Sequence, residues 1–211
     1  MSMPANKLFF GLFCITIIPL WYGCSFASKD AKSFITAYDK NEDFIIVKKS
    51  NRIIISVKYL SPKYLACKDA IKYKQESNKQ YIDSLIKENS NVKHFVMKLE
   101  GDSTCGDIMF KDIFSYPEYR QRAEDLNFKI KEQIVLNTGD KEYYPVLASM
   151  ENTYSMTSYR IIHIIFAPLV SKNELINCNK YELVFYDEQL GSGITHYNFS
   201  KKTIETADQI N

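Results

Sequence analysis

Glu100, Asp102, Cys105 and Asp107 fall within eight residues, interleaved with Gly101, Ser103, Thr104 and Gly106, so one short stretch gathers three carboxylates, two hydroxyls and a thiol. Oxygen-rich loops can hold a hard cation, but the order of ligands in an EF-hand is missing here. A nucleophilic Cys105 would need a histidine base delivered by the fold and surroundings that lower its pKa. The same composition suits a solvated turn, which is the expectation for Glu100–Asp107. A hydrolase using Cys105 or these carboxylates is the alternative. His94, His163 and His196 lie far apart, with no His-x-x-x-His pair to hold zinc. All three are expected to be structural, His163 as a hydrogen-bonded core histidine. No Walker loop, dinucleotide fingerprint, Gly-x-Ser-x-Gly elbow or Ser-x-x-Lys occurs. The reading is a non-enzymatic protein with no cofactor and no metal.

Four tyrosines, Tyr143, Tyr144, Tyr154 and Tyr159, crowd one expected hairpin and its exit. Large amphipathic rings populate strands and interfaces alike, so these four form a candidate binding surface for a protein partner or a glycan. The single tryptophan, Trp21, lies in the N-terminal apolar run and cannot serve as a stacking platform on the body.

That run is informative in itself. Lys7 is the only charge before Lys29, an apolar stretch follows from Leu8 to Tyr22, and it closes on Gly23-Cys24. A positive start, a greasy middle and a small residue before the cut are the parts of an export signal. Pro19, five positions before Cys24, would end a helix and leave the cleavage site extended. The segment resembles the bacterial lipoprotein signal, with Trp21-Tyr22-Gly23-Cys24 as a degenerate lipobox in which Trp21 and Tyr22 replace the usual leucine and small residue. Together with a composition rich in Lys, Asn, Ile and Tyr, the chain resembles uncharacterised Bacteroidota lipoproteins. The resemblance implies cleavage after Gly23, lipid on Cys24, and an envelope location, with Ser25 favouring the outer membrane. A single-span anchor over Leu8–Ser28 is the competing expectation, since about 20 mostly apolar residues suffice to span a bilayer.

The charges nearly cancel, at +2 overall, which gives no electrostatic reason to bind nucleic acid. The expected partners are membrane lipid through Cys24 and a protein of the cell envelope. Cys67, Cys105 and Cys178 cannot all pair, and their spacing fits no zinc pattern.

The elements that must position these residues follow from periodicity. Ile53, Ile55, Val57 and Tyr59 alternate on one strand face, with a hairpin signal at Lys49-Ser50-Asn51. Ser61-Pro62 starts a helix, and Tyr81, Ile82, Leu85 and Ile86 continue helical spacing until Asn89-Ser90-Asn91. Tyr116-Pro117 opens another helix to about Leu126. Strands are expected from Phe128, returning after Thr138-Gly139-Asp140, then over Arg160–Ala167, Tyr181–Asp187 and Ile194–Phe199. Arg160–Ala167 reads as apolar on both faces and hence doubly covered. The tail from Lys201 should fray or form a short helix. The expected fold is α+β, mainly antiparallel β, with an immunoglobulin-like two-layer sandwich as the candidate topology and two or three helices in the first half. The expected organisation is a signal peptide (1–23), a lipid-anchored tether (24–42) and one globular domain (43–211).

Overall fold

A computed structural model describes residues 31–152, 156–169, 171, 174–175 and 178–210. Cys24, Gly23 and Tyr154 lie outside the described residues. The strand β2 (Ile53–Leu60) turns Ile53, Ile55, Val57 and Tyr59 inward, each at most 1 % exposed. The period-two spacing of branched and aromatic side chains is the cause. It pairs antiparallel with β1 (Ile45–Ser50) and with β3 (Lys93–Gly101). The β1–β2 connection is Asn51-Arg52, both at positive φ (46° and 64°), the two-residue turn whose twist suits a hairpin. Arg52 is an unusual occupant of that region, and it is held there from outside. Its carbonyl accepts from the Asp102 amide at 2.8 Å, and its guanidinium meets Asp112 at 2.8 Å.

The fold is α+β with two antiparallel sheets. β6 (Leu147–Met150) and β7 (Tyr159–Phe166) complete the first, in the order β1-β2-β3-β7-β6. The second contains β4 (Ile134–Asn137), β5 (Glu142–Tyr143), β8 (Lys180–Asp187) and β9 (Gly193–Ser200), in the order β5-β4-β8-β9. Their inner faces meet in one core, where the Phe95 ring of β3 lies 5.3 Å from Phe199 of β9. The chain changes sheet at Tyr144-Pro145, where proline cannot continue a ladder. This five-plus-four arrangement keeps β1, β2 and β3 in one sheet and differs from the ABED/CFG order of an immunoglobulin-like sandwich.

Strand register gives the sandwich two ends. At one end sit α1 (Ala31–Lys40), α2 (Pro62–Lys72) and the C-terminal α5 (Lys201–Thr206). Ser61 caps α2 by accepting from the Tyr64 amide, with Pro62 in the first turn, as its sequence predicts. The helix α3 (Lys79–Asn89), capped by Asn78, packs on α2. At the opposite end lie the β1–β2 turn, the loop after β3, a 3-10 turn (Ile108–Phe110), the helix α4 (Tyr116–Glu124) and the β8–β9 loop. Among the described residues no helix is long and apolar enough to cross a membrane.

Several expectations are corrected. The segment 31–42 is part of the body rather than tether, because Ala31, Phe34 and Tyr38 of α1 are at most 4 % exposed in the shared core. The Tyr38 hydroxyl donates to the Tyr59 carbonyl at 2.9 Å and accepts from the Ser61 amide at 3.1 Å. β7 is not doubly covered: Arg160, Ile162, Ile164 and Phe166 point inward, whereas Tyr159, Ile161, His163 and Ile165 remain half-exposed. Branched residues suit a half-buried pleat as well as a fully buried one, so the run alone could not decide. No strand starts at Phe128. Helix α4 continues as a wider π turn (Asp125–Lys129) and a 3-10 turn, and β4 begins only at Ile134. The tail takes the second of its two expected forms, the short helix α5, and is held to the body where Asp208 accepts from the Lys63 amide at 3.0 Å and Ala207 is fully buried.

Candidate binding site

The Glu100–Asp107 loop is a structural clasp. Glu100 pairs with Lys98 at 2.6 Å. Asp102 accepts from the Thr104 hydroxyl at 2.6 Å and its amide at 2.9 Å, and pairs with Lys49 at 3.1 Å. The Thr104 bonds, then Lys49, hold the Asp102 carboxyl down at about 2. Asp107 caps the following 3-10 turn through the Met109 amide and pairs with Arg160 at 3.1 Å. Gly101 is required sterically, because a Cβ there would sit 2.2 Å from the Gly106 carbonyl oxygen. Cys105 is half-buried and spends its amide on the Asp102 carbonyl.

No histidine approaches that thiol along the sheet. His94 lies at the far end of β3, beside Leu60 and Ile165, and His163 stands opposite Val96. His94 and His163 are neighbours on the outer face of the first sheet, where burial, and then His163, pushes His94 down to about 4. His163 is no core residue: its Nε2 meets Glu151 at 2.6 Å, with 45 % of the side chain exposed. His196 meets Glu182 at 3.1 Å on the second sheet. No cluster among the described residues could hold a metal ion.

The tyrosine surface does not assemble as expected. Tyr143 points inward, 1 % exposed, with its hydroxyl pushed up to about 12 by burial and the nearby Glu174. Its neighbour Tyr144 points outward at 61 % exposed. Tyr143 ends β5 facing the core and Tyr144 lies just beyond it, where the chain leaves the sheet, so the two do not share a patch. Tyr159 is half-buried beneath the Lys98 ammonium, 4.5 Å from the ring centroid.

Aromatic exposure is concentrated elsewhere, at the end of the sandwich remote from α1. Phe110, Phe114 and Tyr116 are 62 %, 91 % and 75 % exposed. With Ile113, Ser115 and Tyr119 they line an open trough of about 500 Å³. The Phe110 and Tyr119 rings stack at 5.1 Å and 18°, and Tyr116 lies 6.4 Å from Tyr119 at 23°. A contiguous exposed apolar patch calls for explanation where scattered exposed residues would not.

Local sequence builds this shelf. Ser115 caps α4 through the Glu118 amide at 3.5 Å, and Glu118 reaches back to the Phe114 amide at 2.9 Å, a capping box. Bonding to the Phe114 amide, and then to Ser115, keeps the Glu118 carboxyl below the usual carboxylate range. Beneath it, Ile108 and Met109 are buried and leave Phe110 outside. Arg122 rivets the platform to the body, donating to the carbonyls of Ile108 at 2.9 Å, Lys111 at 2.6 Å and Gln189 at 2.9 Å. Lys111, also buried, donates to the Leu190 carbonyl at 2.9 Å and pairs with Asp112 at 2.7 Å. The rings therefore stand on a fixed base.

The sequence carries a signal for this site that strand and helix periodicity do not register. Phe110, Phe114, Tyr116 and Tyr119 place four aromatics in ten residues around Ser115-x-x-Glu118, at spacings of neither a strand nor a helix core.

No family model and no curated protein matches the chain. Among solved structures it is similar to a novel protein of unknown function from Burkholderia pseudomallei K96243, at 9 % identity and a TM-score of 0.37, over 85 % of this chain and 87 % of that one.

Proposed function

We propose that the chain is a membrane-anchored envelope lipoprotein, held by lipid on Cys24, whose folded body is a non-enzymatic binding or scaffold module. The observation that carries the binding role is the aromatic shelf, rigidly mounted yet left in water. Burying a large apolar side chain is worth about 1.5–3 kcal/mol, so exposed rings on a pinned base are an uncollected driving force for association. Support for the anchor is the layout of the N-terminus, with Lys7, the apolar run and Gly23-Cys24 in order, and Ser25 after the cysteine. Two lipid chains make such anchoring stable.

Intact mass and fractionation test the anchor. The processed chain should begin at Cys24, carry acyl mass and sediment with membranes, and Cys24→Ser should abolish all three. A Cys24→Ser chain that still sediments at the same processed mass would refute the reading.

A further inference from the structure

The corner between α2 and α3 lies beside the point where the anchored segment enters the body, and we propose that it is a second membrane contact, taking the anionic headgroups of phospholipid. The proposal rests on the anchor proposed above, which sets what stands next to the corner. Only seven residues, 24–30, join Cys24 inclusively to the first residue of α1, and they span at most about 24 Å. One residue into α1, Lys32 reaches Glu76 of the corner at 3.8 Å. No tilt of the body carries the corner further from the bilayer than that leash and one ion-paired span.

The charge of the corner matches such a surface. Residues 62–79 hold five lysines against Asp69 and Glu76, a balance of +3, where the whole chain carries +2. Lys68, Lys72, Lys74 and Lys79 are exposed and have no carboxylate within ion-pair distance among the described residues. Two of these four are placed against local preference. Lys74 takes a φ of 57° at the end of α2, where its amide donates to the Ile71 carbonyl at 3.1 Å and the Gln75 amide to that of Ala70 at 2.7 Å. That left-handed place after a helix usually falls to glycine. Lys79 opens α3, where the helix dipole disfavours a cation and the first turn holds no acid. Neither lysine serves the corner itself, and both add to its charge. Between them and Lys72 stands Tyr73, 57 % exposed, with the Lys72 ammonium 5.3 Å from its ring centroid. Tyrosine among lysines suits the water–bilayer boundary, where the ring sits at headgroup level and the ammonium groups meet phosphate. Attraction to anionic lipid acts over about 10 Å at 0.1 M salt, so it turns this corner to the bilayer once the tether has brought it near.

The experiment uses the full chain with Trp21→Phe and Tyr73→Trp, so that position 73 carries the only tryptophan whether or not the N-terminus is processed. Purified from membranes, it is reconstituted into vesicles of brominated phosphatidylcholine, with or without phosphatidylglycerol as one lipid in four. Bromine quenches an indole only at contact. The expected result is quenching at position 73 in the anionic vesicles, absent from phosphatidylcholine alone and reversed by high salt. Changing Lys68, Lys72, Lys74 and Lys79 to glutamine should lower it to the level of an Ile194→Trp control, which reports from the remote end of β9. All four lysines are exposed, so that variant keeps its thermal melt, and the salt and lipid arms need no lysine substitution. An indole at position 73 that is unquenched throughout, equally quenched without phosphatidylglycerol, or quenched no more than the control would overturn the inference. The anchor reads out separately, in the intact mass of the same preparation. Acyl mass on Cys24 without quenching refutes the headgroup contact alone, quenching without acyl mass refutes the anchor alone, and the absence of both refutes both.

Discussion

Phe110 stacks on Tyr119 at 5.1 Å and 18°, and by doing so displaces Phe114 from the ring it would ordinarily cover. Phe114 stands at the position before the cap of α4 and Tyr119 at the fourth helical position, the pair that forms a hydrophobic staple at many helix starts. With that seat taken, Phe114 projects into water at 91 % exposed. A local rule is broken without local compensation, as happens at functional or strained positions.

Truncating Phe114 should therefore leave stability unchanged to within about 0.5 kcal/mol, as for surface substitutions free of special contacts. Phe110→Ala should lower it by about 0.5–1.5 kcal/mol through the lost ring pair. Urea unfolding of the two variants checks the difference. The reverse ranking, with Phe114 the costlier loss, would show that Phe114 staples the helix after all.

Arg122 fixes the shelf. Arg122→Met would leave the carbonyls of Lys111 and Gln189 without this donor and that of Ile108 with only the Lys111 amide at 3.3 Å, at about 1–3 kcal/mol for each orphaned group that water cannot reach. Arg122→Lys should recover only part of this, because a single ammonium cannot replace a planar fork across three acceptors. The expected signature is a lower urea midpoint, with faster amide exchange across 108–119 ahead of the β2–β3 ladder. Uniform exchange in both regions would argue against a separate rivet.

How much of this was legible beforehand depends on which force dominated. Strands β2, β8 and β9 and the start of α2 came from period two and from Ser61-Pro62, where pattern and propensity agree. The α+β antiparallel class followed from them. The face of β7 did not, because Ile161 and Ile165 suit a half-open sheet as well as a closed one. Tyr143 and Tyr144 are neighbours in sequence, but Tyr143 ends β5 in the core and Tyr144 lies beyond the strand in solvent. The shelf was missed because exposure is a tertiary property: nothing in the order of Phe110, Phe114 and Tyr116 says that Tyr119 is already taken.

Helix α1 makes a sharper test of where the body begins. Tyr38→Phe removes a donor to the Tyr59 carbonyl and an acceptor for the Ser61 amide, both buried, and should lower stability by about 1–3 kcal/mol. Deleting residues 31–42 should prevent folding of the remainder, because it removes Phe34 and Tyr38 from the common core. A chain starting at residue 43 with an undiminished cooperative melt would restore the tether reading.

His94 links the outer sheet face to pH. Burial holds its folded pKa at about 4, against about 6.5 in an unfolded chain. Between those values the unfolded chain binds a proton that the folded one refuses, so stability rises with pH there. The contribution is complete above pH 6.5 and fades as pH falls towards 4. Full burial would make it about 3 kcal/mol, and partial exposure of His94 reduces that to roughly 1–2 kcal/mol. His163, diagonally adjacent on β7, adds repulsion once charged, so His163→Gln should shrink the slope while His94→Gln removes it. Urea midpoints at half-unit steps from pH 7 to 4 measure it. A His94→Gln profile as steep as the parent's over that range would rule out His94 as its source, because the Asp102 carboxyl, held at about 2, titrates below it.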